Sequence, residues 1–470
     1  MNEHPIWKHV HASKTRFHDL SNTVWATPET CYAEAESVAA HTAELRHQGF
    51  EVTENVAGIP TAVMGEAGEG GPVIAFLGEF DALAGLSQQA DLPEQKPITP
   101  GANGHGCGHN MLGSAAMLAA VALRDWLAET GTPGRVRYYG CPAEEGGAAK
   151  TFMVKAGVFD DVDIAITWHP HSIPSVVRGS SLANCRIDFT FEGRASHAAA
   201  SPHLGRSALD GVELMSVGIN YLREHMPDSA RIHYAIIDGG GISPNVVQAK
   251  AKVRYVVRAD TAPEMLTLLE RVRKVAQGAA MMTETQVSDQ VLAAVSNLVE
   301  NEPLCDVMQR ALDQLGPPAF SDTDRAYAAR FQATMTPEDI EAAYTSLGQT
   351  PRRDLVLPDF VVPADTPPSS LGGSTDVADV SWVVPTVQLW GANYAIGTPF
   401  HSWQMVAQGK STPALKGMVH AACAMAAVGV DAVTDADLRA RAWEDLRART
   451  PNGYTCPLAE EAEPPIAAMG

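Results

Sequence analysis

Three apolar runs in the first 180 residues each lead into ionisable side chains, and this pattern limits the fold more than any other. Val73–Gly78 runs into Glu79-Phe-Asp81, Arg135–Gly140 runs toward Glu144-Glu145, and Val162–Trp168 ends on His169. Short apolar runs bounded by turn residues read as buried strands. A stretch at helical spacing, Pro28 to Gly49, precedes them, and the apolar stretch Met111 to Leu123, which reads as a buried helix, lies between the first two. Strands alternating with helices predict an α/β fold whose sheet is mostly parallel and covered on both faces. Ligands of such sheets gather beyond the carboxyl ends of the strands, so Asp81, Glu144, Glu145 and His169 are expected at one edge. A later run, Thr386–Trp390, is expected to bring His401 to the same edge.

From about Leu182 to Glu300 the rhythm changes. Cys185–Phe191 alternates like a half-exposed strand, and Ser207–Arg223 reads as an amphipathic helix. Arg231–Asp238 and Val246–Arg258 read as strands, and Pro263–Ala280 as a second helix. This β-α-β-β-α-β order predicts a separate α+β unit inserted into the first. At 470 residues the chain exceeds the size of a single core. The expected division is 1–183 and 299–470 for one domain and 184–298 for the insert. The loops Asp91–Gly101 and Pro358–Gly373 are expected to be coverings or surface connections, and the acidic tail after Pro457 to be solvated.

The charge balance narrows the possible partners. Thirty-four basic against 55 acidic side chains give a net charge of −21, which argues against nucleic acid and against an anionic membrane surface. An anionic substrate would then need a local cluster of positive charge or metal. The apolar stretch Met111–Leu123 is too short to cross a bilayer. Met1-Asn-Glu-His-Pro shows no signal-peptide pattern. Seven scattered cysteines, an odd number, predict reduced thiols and a cytoplasmic setting.

One of those cysteines sits in the turn Asn103-Gly-His-Gly-Cys107-Gly-His109-Asn110. On glycine-loosened backbone a thiolate and an imidazole two residues apart can converge on one ion, whereas in a helix they would diverge. The spacing alone leaves metal ligation and plain turn packing both open. Glu144-Glu145 can equally be a solvated loop. On extended backbone, however, the two side chains point to opposite sides, so one can hold a metal while the other faces a water. Cysteine, histidines and carboxylates together suit zinc or manganese. More than four such donors leave room for two ions about 3.5–4 Å apart. Gly239-Gly-Gly241 carries no phosphate-binding pattern and reads as a turn.

Four blocks occur in one order: Gly-His-Gly-Cys107-Gly-His109-Asn, Pro-Ala-Glu144-Glu145-Gly-Gly, Trp-His169-Pro and Phe-His401-Ser. In this the chain resembles the hippurate hydrolase and auxin-conjugate hydrolase branch of metallopeptidase family 20, from about Arg16 to Val428. The resemblance implies a zinc-peptidase-like catalytic domain with an inserted ferredoxin-like lid and dimerisation domain. It implies Cys107, His109, Glu145, His169 and His401 as ligands of two divalent ions, Mn2+ or Zn2+, with Asp81 orienting them from behind. Glu144 would be the general base. His197, in Gly193-Arg-Ala-Ser-His197, would reach into the site of a partner chain to stabilise an oxyanion. Asn245 and Arg258 would hold the substrate carboxylate. The implied reaction is hydrolysis of an N-acyl amino acid, with p-aminobenzoyl-glutamate as leading candidate. Indole-3-acetyl-aspartate, other N-acyl amino acids or a dipeptide are alternatives. The implied assembly is a homodimer, or a heterodimer with a related chain; a non-catalytic partner role is the competing reading. Two positions depart from the branch: Asn110 replaces an aspartate, and Glu79-Phe-Asp81 replaces Asp-x-Asp. The segment Gly316–Pro368 is longer than in hippurate hydrolases and is expected to shape the pocket.

Overall fold

Val73–Glu79 is buried along its whole length, as its composition predicts. It is one of eleven strands described in the computed structural model, which covers residues 4–367 and 372–469. The strands are β1 (Glu51–Glu54), β2 (Val63–Glu69), β3 (Val73–Glu79), β4 (Gly134–Cys141), β5 (Ile164–His169), β6 (Ser175–Val176), β7 (Ala183–Glu192), β8 (Arg231–Asp238), β9 (Lys250–Ala259), β10 (Gln286–Val295) and β11 (Thr386–Trp390).

Seven of them form one sheet in the order β1-β2-β4-β3-β5-β11-β6. Its central strands β4, β3, β5 and β11 are parallel, and the outer pairings are antiparallel. The pleat sends alternate residues to opposite faces. Ile74, Phe76, Val136, Tyr138 and Ile166 pack with the helices Trp7–Ala26, His109–Thr130 and Thr412–Thr434. Val73, Ala75, Leu77, Tyr139 and Ala165 pack on the other side, with Phe152 and Met153 of the short helix Ala149–Lys155. Alanines such as Ala115, Ala119, Ala422 and Ala426 are fully buried where the two long helices meet. Both helices are long and apolar enough to cross a membrane, but 78% and 89% of their apolar windows lie buried inside the fold. The sequence expectation of a short helix ending at Leu123 is corrected, because the helix continues to Thr130.

The remaining strands form an antiparallel sheet in the order β10-β7-β9-β8. That order, with its two crossover helices Ala208–Leu222 and Ala262–Thr283, is the ferredoxin-like arrangement expected from the sequence. Cys185, Ile187, Phe189 and Phe191 of β7 are buried with Val212, Met215, Leu268 and Val272 of the helices. The opposite face of β7 carries Asn184, Arg186 and Asp188.

Some boundaries move. β9 begins at Lys250 rather than Val246, and the helix expected from Pro28 begins at Ala35. The tail is not simply solvated: Leu458 is buried in the core, and the Ala459 and Ala462 carbonyls accept hydrogen bonds from the Lys155 ammonium at 2.8 and 2.7 Å. Apolar Leu458 and Ile466, interspersed among the tail's acids, give it surface to bury. The segment from Gly316 includes helices Asp322–Gln332 and Pro337–Thr345. Residues 368–371 of the Pro358–Gly373 loop lie outside the described residues, as do 1–3 and 470.

Candidate metal centre

The four parallel strands end at one edge, and the loops that leave them are built to hold side chains close together. Ala143, just after β4, adopts a left-handed backbone (φ 56°). Its carbonyl accepts the N–H groups of Gly147 and Ala148 at 2.8 and 2.9 Å, closing a tight turn around Glu144 and Glu145. Cys107 and His109 flank Gly108 (φ 79°), where any Cβ would strike the Tyr394 hydroxyl. Only glycine meets both demands. His109 then opens the long core helix. His401 is itself left-handed (φ 56°), uncommon for a side chain of that size. Its N–H donates to the Gly106 carbonyl at 2.9 Å, tying the late loop to the cysteine turn.

The five expected ligands converge. One donor atom each from Cys107, His109 and His169 lies within 4.8 Å of the others, and the same holds for Cys107, Glu145 and His401. Cys107 belongs to both groups. Cys107 Sγ is 3.3 Å from His169 Nε2, and His401 Nε2 is 3.4 Å from Glu145 Oε2. Donors on one zinc-sized ion, with bonds of about 2.0–2.3 Å, lie roughly 2.8–3.7 Å apart for angles of 90–109°. The second contacts of these groups suit ligation. His109 Nδ1 pairs with Asp81 Oδ1 at 2.8 Å, and His169 Nδ1 with the Pro170 carbonyl at 3.0 Å, leaving each Nε2 available. His109 Nε2 and Glu145 Oε1 are buried and make no hydrogen bond. The other oxygen of Asp81 accepts the Glu145 N–H at 2.9 Å, so one carboxylate positions both a ligand and the glutamate turn.

Electrostatics point the same way. Burial, then the charges of Glu79 and Glu145, push the Glu144 carboxyl well above its usual range. Burial pushes Glu145 up to about 7, against the pull of His109. Burial and Glu145 likewise raise the Cys107 thiol. So many anion-forming groups in one buried space call for cationic charge. The donor set therefore fits divalent metal.

Both departures from the branch have physical explanations. The Asn110 amide donates to Ser21 Oγ and to the Gly409 carbonyl, each at 3.0 Å, bonds that an ionised carboxylate cannot make. Glu79 lies 2.6 Å from the fully buried ammonium of Lys150, which also pairs with Asp376 at 2.5 Å. Glu79 Oε2 is 3.4 Å from His109 Nε2.

The expected substrate-binding residues divide. Arg258 lines a cavity together with Glu144, Glu145 and His401, and donates to Ser374 Oγ at 2.9 Å. His197 and Asn245 line neither cavity beside the donors in this chain. They lie together on an exposed loop pair of the second sheet, where Ala198 N–H meets the Asn245 carbonyl at 2.9 Å. Sequence reasoning missed Lys150, a single basic residue in an apolar helix, and the aromatic wall of Trp390 and Phe400. It also missed Arg186, whose alternation along β7 was the available signal.

The strand-end cluster and the inserted ferredoxin-like sheet define a metal-dependent hydrolase of amide bonds. The chain belongs to the peptidase family M20/M25/M40, matched over residues 75–348. It is 44% identical to the B subunit of p-aminobenzoyl-glutamate hydrolase from Escherichia coli (strain K12), over 97% of this chain and 97% of that protein. It is 30% identical to the A subunit of the same organism's hydrolase, over 49% of this chain and 54% of that one. A solved dinuclear metal-binding M20 peptidase from Bacillus subtilis shares the fold, with a TM-score of 0.56 and 19% identity. It covers 90% of this chain and 99% of its own.

Proposed function

We propose that this chain hydrolyses the amide bond of N-acyl amino acids with two divalent ions, Mn2+ or Zn2+, and that p-aminobenzoyl-glutamate is its leading substrate. The observation that carries the reading is the membership of Cys107 in two three-donor groups, with Glu144 beside them in a third, made with Glu79 and His109, its carboxylate 4.0 Å from His109. The ions, when bound, polarise the scissile carbonyl and acidify a water. Cys107, His109, Glu145, His169 and His401 hold them, and Asp81 fixes the orientation of His109 and of the glutamate turn. Glu144 takes the proton of the attacking water and delivers it to the leaving nitrogen. The two E. coli relatives are named as different subunits of one hydrolase, which supports a related chain or a second copy as partner. His197 and Asn245 of such a partner would complete the site, with His197 donating to the developing oxyanion. The free thiols, all seven unpaired, favour a reducing compartment such as the cytoplasm.

Glu144→Gln tests the chemistry. Turnover of p-aminobenzoyl-glutamate should fall at least ~100-fold, the usual minimum for loss of a general base, while metal content stays unchanged. Undiminished turnover would remove Glu144 from its role. A wild-type chain that binds metal, yet turns over nothing alone or with a related chain, would have a structural role instead.

A further inference from the structure

Two cavities meet at Glu144, Glu145 and His401. The larger, about 570 Å³, is walled by His171, Trp390 and Phe400. The smaller, about 390 Å³, lies against the open face of the second sheet, with Asn184, Arg186 and Arg258 in its wall. A bond cleaved at the shared wall would place the acyl group in the aromatic cavity and the amino acid in the basic one.

The sheet wall of this cavity presents two guanidiniums, more than one substrate carboxylate requires. The acids that also line it are engaged elsewhere: Glu144 and Glu145 in the donor groups and Asp376 with Lys150. β7 and β9 pair Asn184 with Arg258 and Arg186 with Val256. Arg186 and Arg258 are therefore diagonal neighbours on one face, a spacing of roughly 7–8 Å that long side chains span. The acid on that face, Asp188, is already taken. It binds Arg254 at 2.7 and 3.2 Å and lies 3.6 Å from Lys252. Among the described residues no acid lies within ion-pair distance of Arg186 or Arg258, and the Arg186 guanidinium makes no hydrogen bond. Its guanidinium abuts Gly146, directly after the glutamate turn, where any side chain would collide with it. Burial lowers both guanidinium pKa values, and the charge of Arg186 adds to the lowering at Arg258. The charges of Glu145 and Asp188 offset this at Arg186 only in part, since its pKa stays lowered, and two neighbouring half-buried cations with no direct ion pair are unfavourable until anions join them.

We infer that Arg186 is a specificity-determining residue that, alongside Arg258, binds a second carboxylate, so that the amino acid released is a dicarboxylate of the glutamate or aspartate class. A planar fork grips one carboxylate through two bonds. Two forks match the α-carboxylate and the side-chain carboxylate of one residue. The assignment rests on the amidohydrolase reading for its turnover assay but not for its binding assay.

The test compares kcat/KM for p-aminobenzoyl-glutamate, p-aminobenzoyl-glutamine and p-aminobenzoyl-alanine, using the full-length manganese-loaded chain. In parallel, calorimetry measures its affinity for free glutamate and free glutamine. The wild-type chain should favour the glutamate amide over the glutamine amide by at least about 100-fold, where sites built to pair a substrate's polar group reach about 10⁴-fold or more. Arg186→Met should reduce that preference at least tenfold, and Arg186→Lys should retain part of it. An equal preference for glutamate and glutamine in the wild-type chain, or one untouched by Arg186→Met in a folded variant, overturns the inference. Selective glutamate binding that Arg186→Met removes, with no turnover of any amide by the chain alone or together with a related chain, upholds the carboxylate site and overturns the amidohydrolase reading.

Discussion

At the scale of single residues the centre depends heavily on Cys107, because its sulfur is common to the two donor groups that contain the five expected ligands. Replacing it with alanine should therefore empty both positions. Metal analysis should fall from two ions per chain to near zero, whereas a sulfur serving one ion would leave half. Glu145 sets the pH dependence. Burial has pushed its carboxyl up to about 7 in the metal-free chain, with His109 pulling down and Asp81 pushing up. A ligand must lose its proton to bind, so protons compete with metal below that value. Below pH 7 the fall in apparent metal affinity should steepen by about a further tenfold per unit, on top of the slope that the raised Cys107 thiol imposes across the range. Titrations with manganese from pH 5.5 to 8 check this, and a profile with no break near pH 7 would exclude Glu145 as a ligand. These residues were legible because motif and strand end coincide. Lys150 was not legible, since a fully buried ammonium is tolerable only beside Glu79 and Asp376, the latter 226 residues away in sequence. Asn245 was legible as a type but not as a place, because a residue of the insert can face its own cleft or another chain's.

At the scale of elements, the sequence pattern carried the central strands β3, β4, β5 and β11 well, because a strand covered on both faces is uniformly apolar and ends abruptly. The outer strands β1, β2 and β6, short or polar, escaped it. The helix Pro337–Thr345 was beyond reach. It is short and largely polar, and it is held mainly by Tyr344, which packs with Ile173, Leu355 and Ile396 from distant segments. A capping box, Thr336 with Asp339, fixes its start. The placement matters because Asp339, Ala342 and Ala343 line the aromatic cavity. This agrees with the expectation that the longer Gly316–Pro368 segment shapes the pocket. If that cavity receives an aryl acyl group, bulk at position 343 should exclude it. Ala343→Phe should lower kcat/KM for p-aminobenzoyl-glutamate by about tenfold or more, and lower it far less for acetyl-glutamate, a loss typical of steric selection. Equal losses on both substrates would mean that the acyl group lies elsewhere.

At the scale of the whole molecule, one chain leaves two of its expected site residues unused. His197 and Asn245 lie on the insert's exposed loops while the donors sit in the other unit's cleft. The surface beside them has the character of an interface. β8 is the edge of its sheet, and a bare edge invites another strand. Tyr234 is 42% exposed and Ile236 51% on that strand, and Tyr221 of the preceding helix is 68% exposed. Apolar exposure of this kind on an unpaired edge suits the partner chain proposed above. A second β8 added there would extend the sheet and carry the partner's His197 loop with it. Ile236→Lys should weaken that pairing, because a charge on an edge strand opposes strand addition. Light scattering should then show a shift toward single chains. Turnover should fall at least tenfold while bound metal stays constant, since the donors belong to one chain. His197→Ala should reproduce the kinetic loss without changing the assembly. Should Ile236→Lys yield single chains with full activity, the site would be complete within one chain, and His197 would have no part in the reaction.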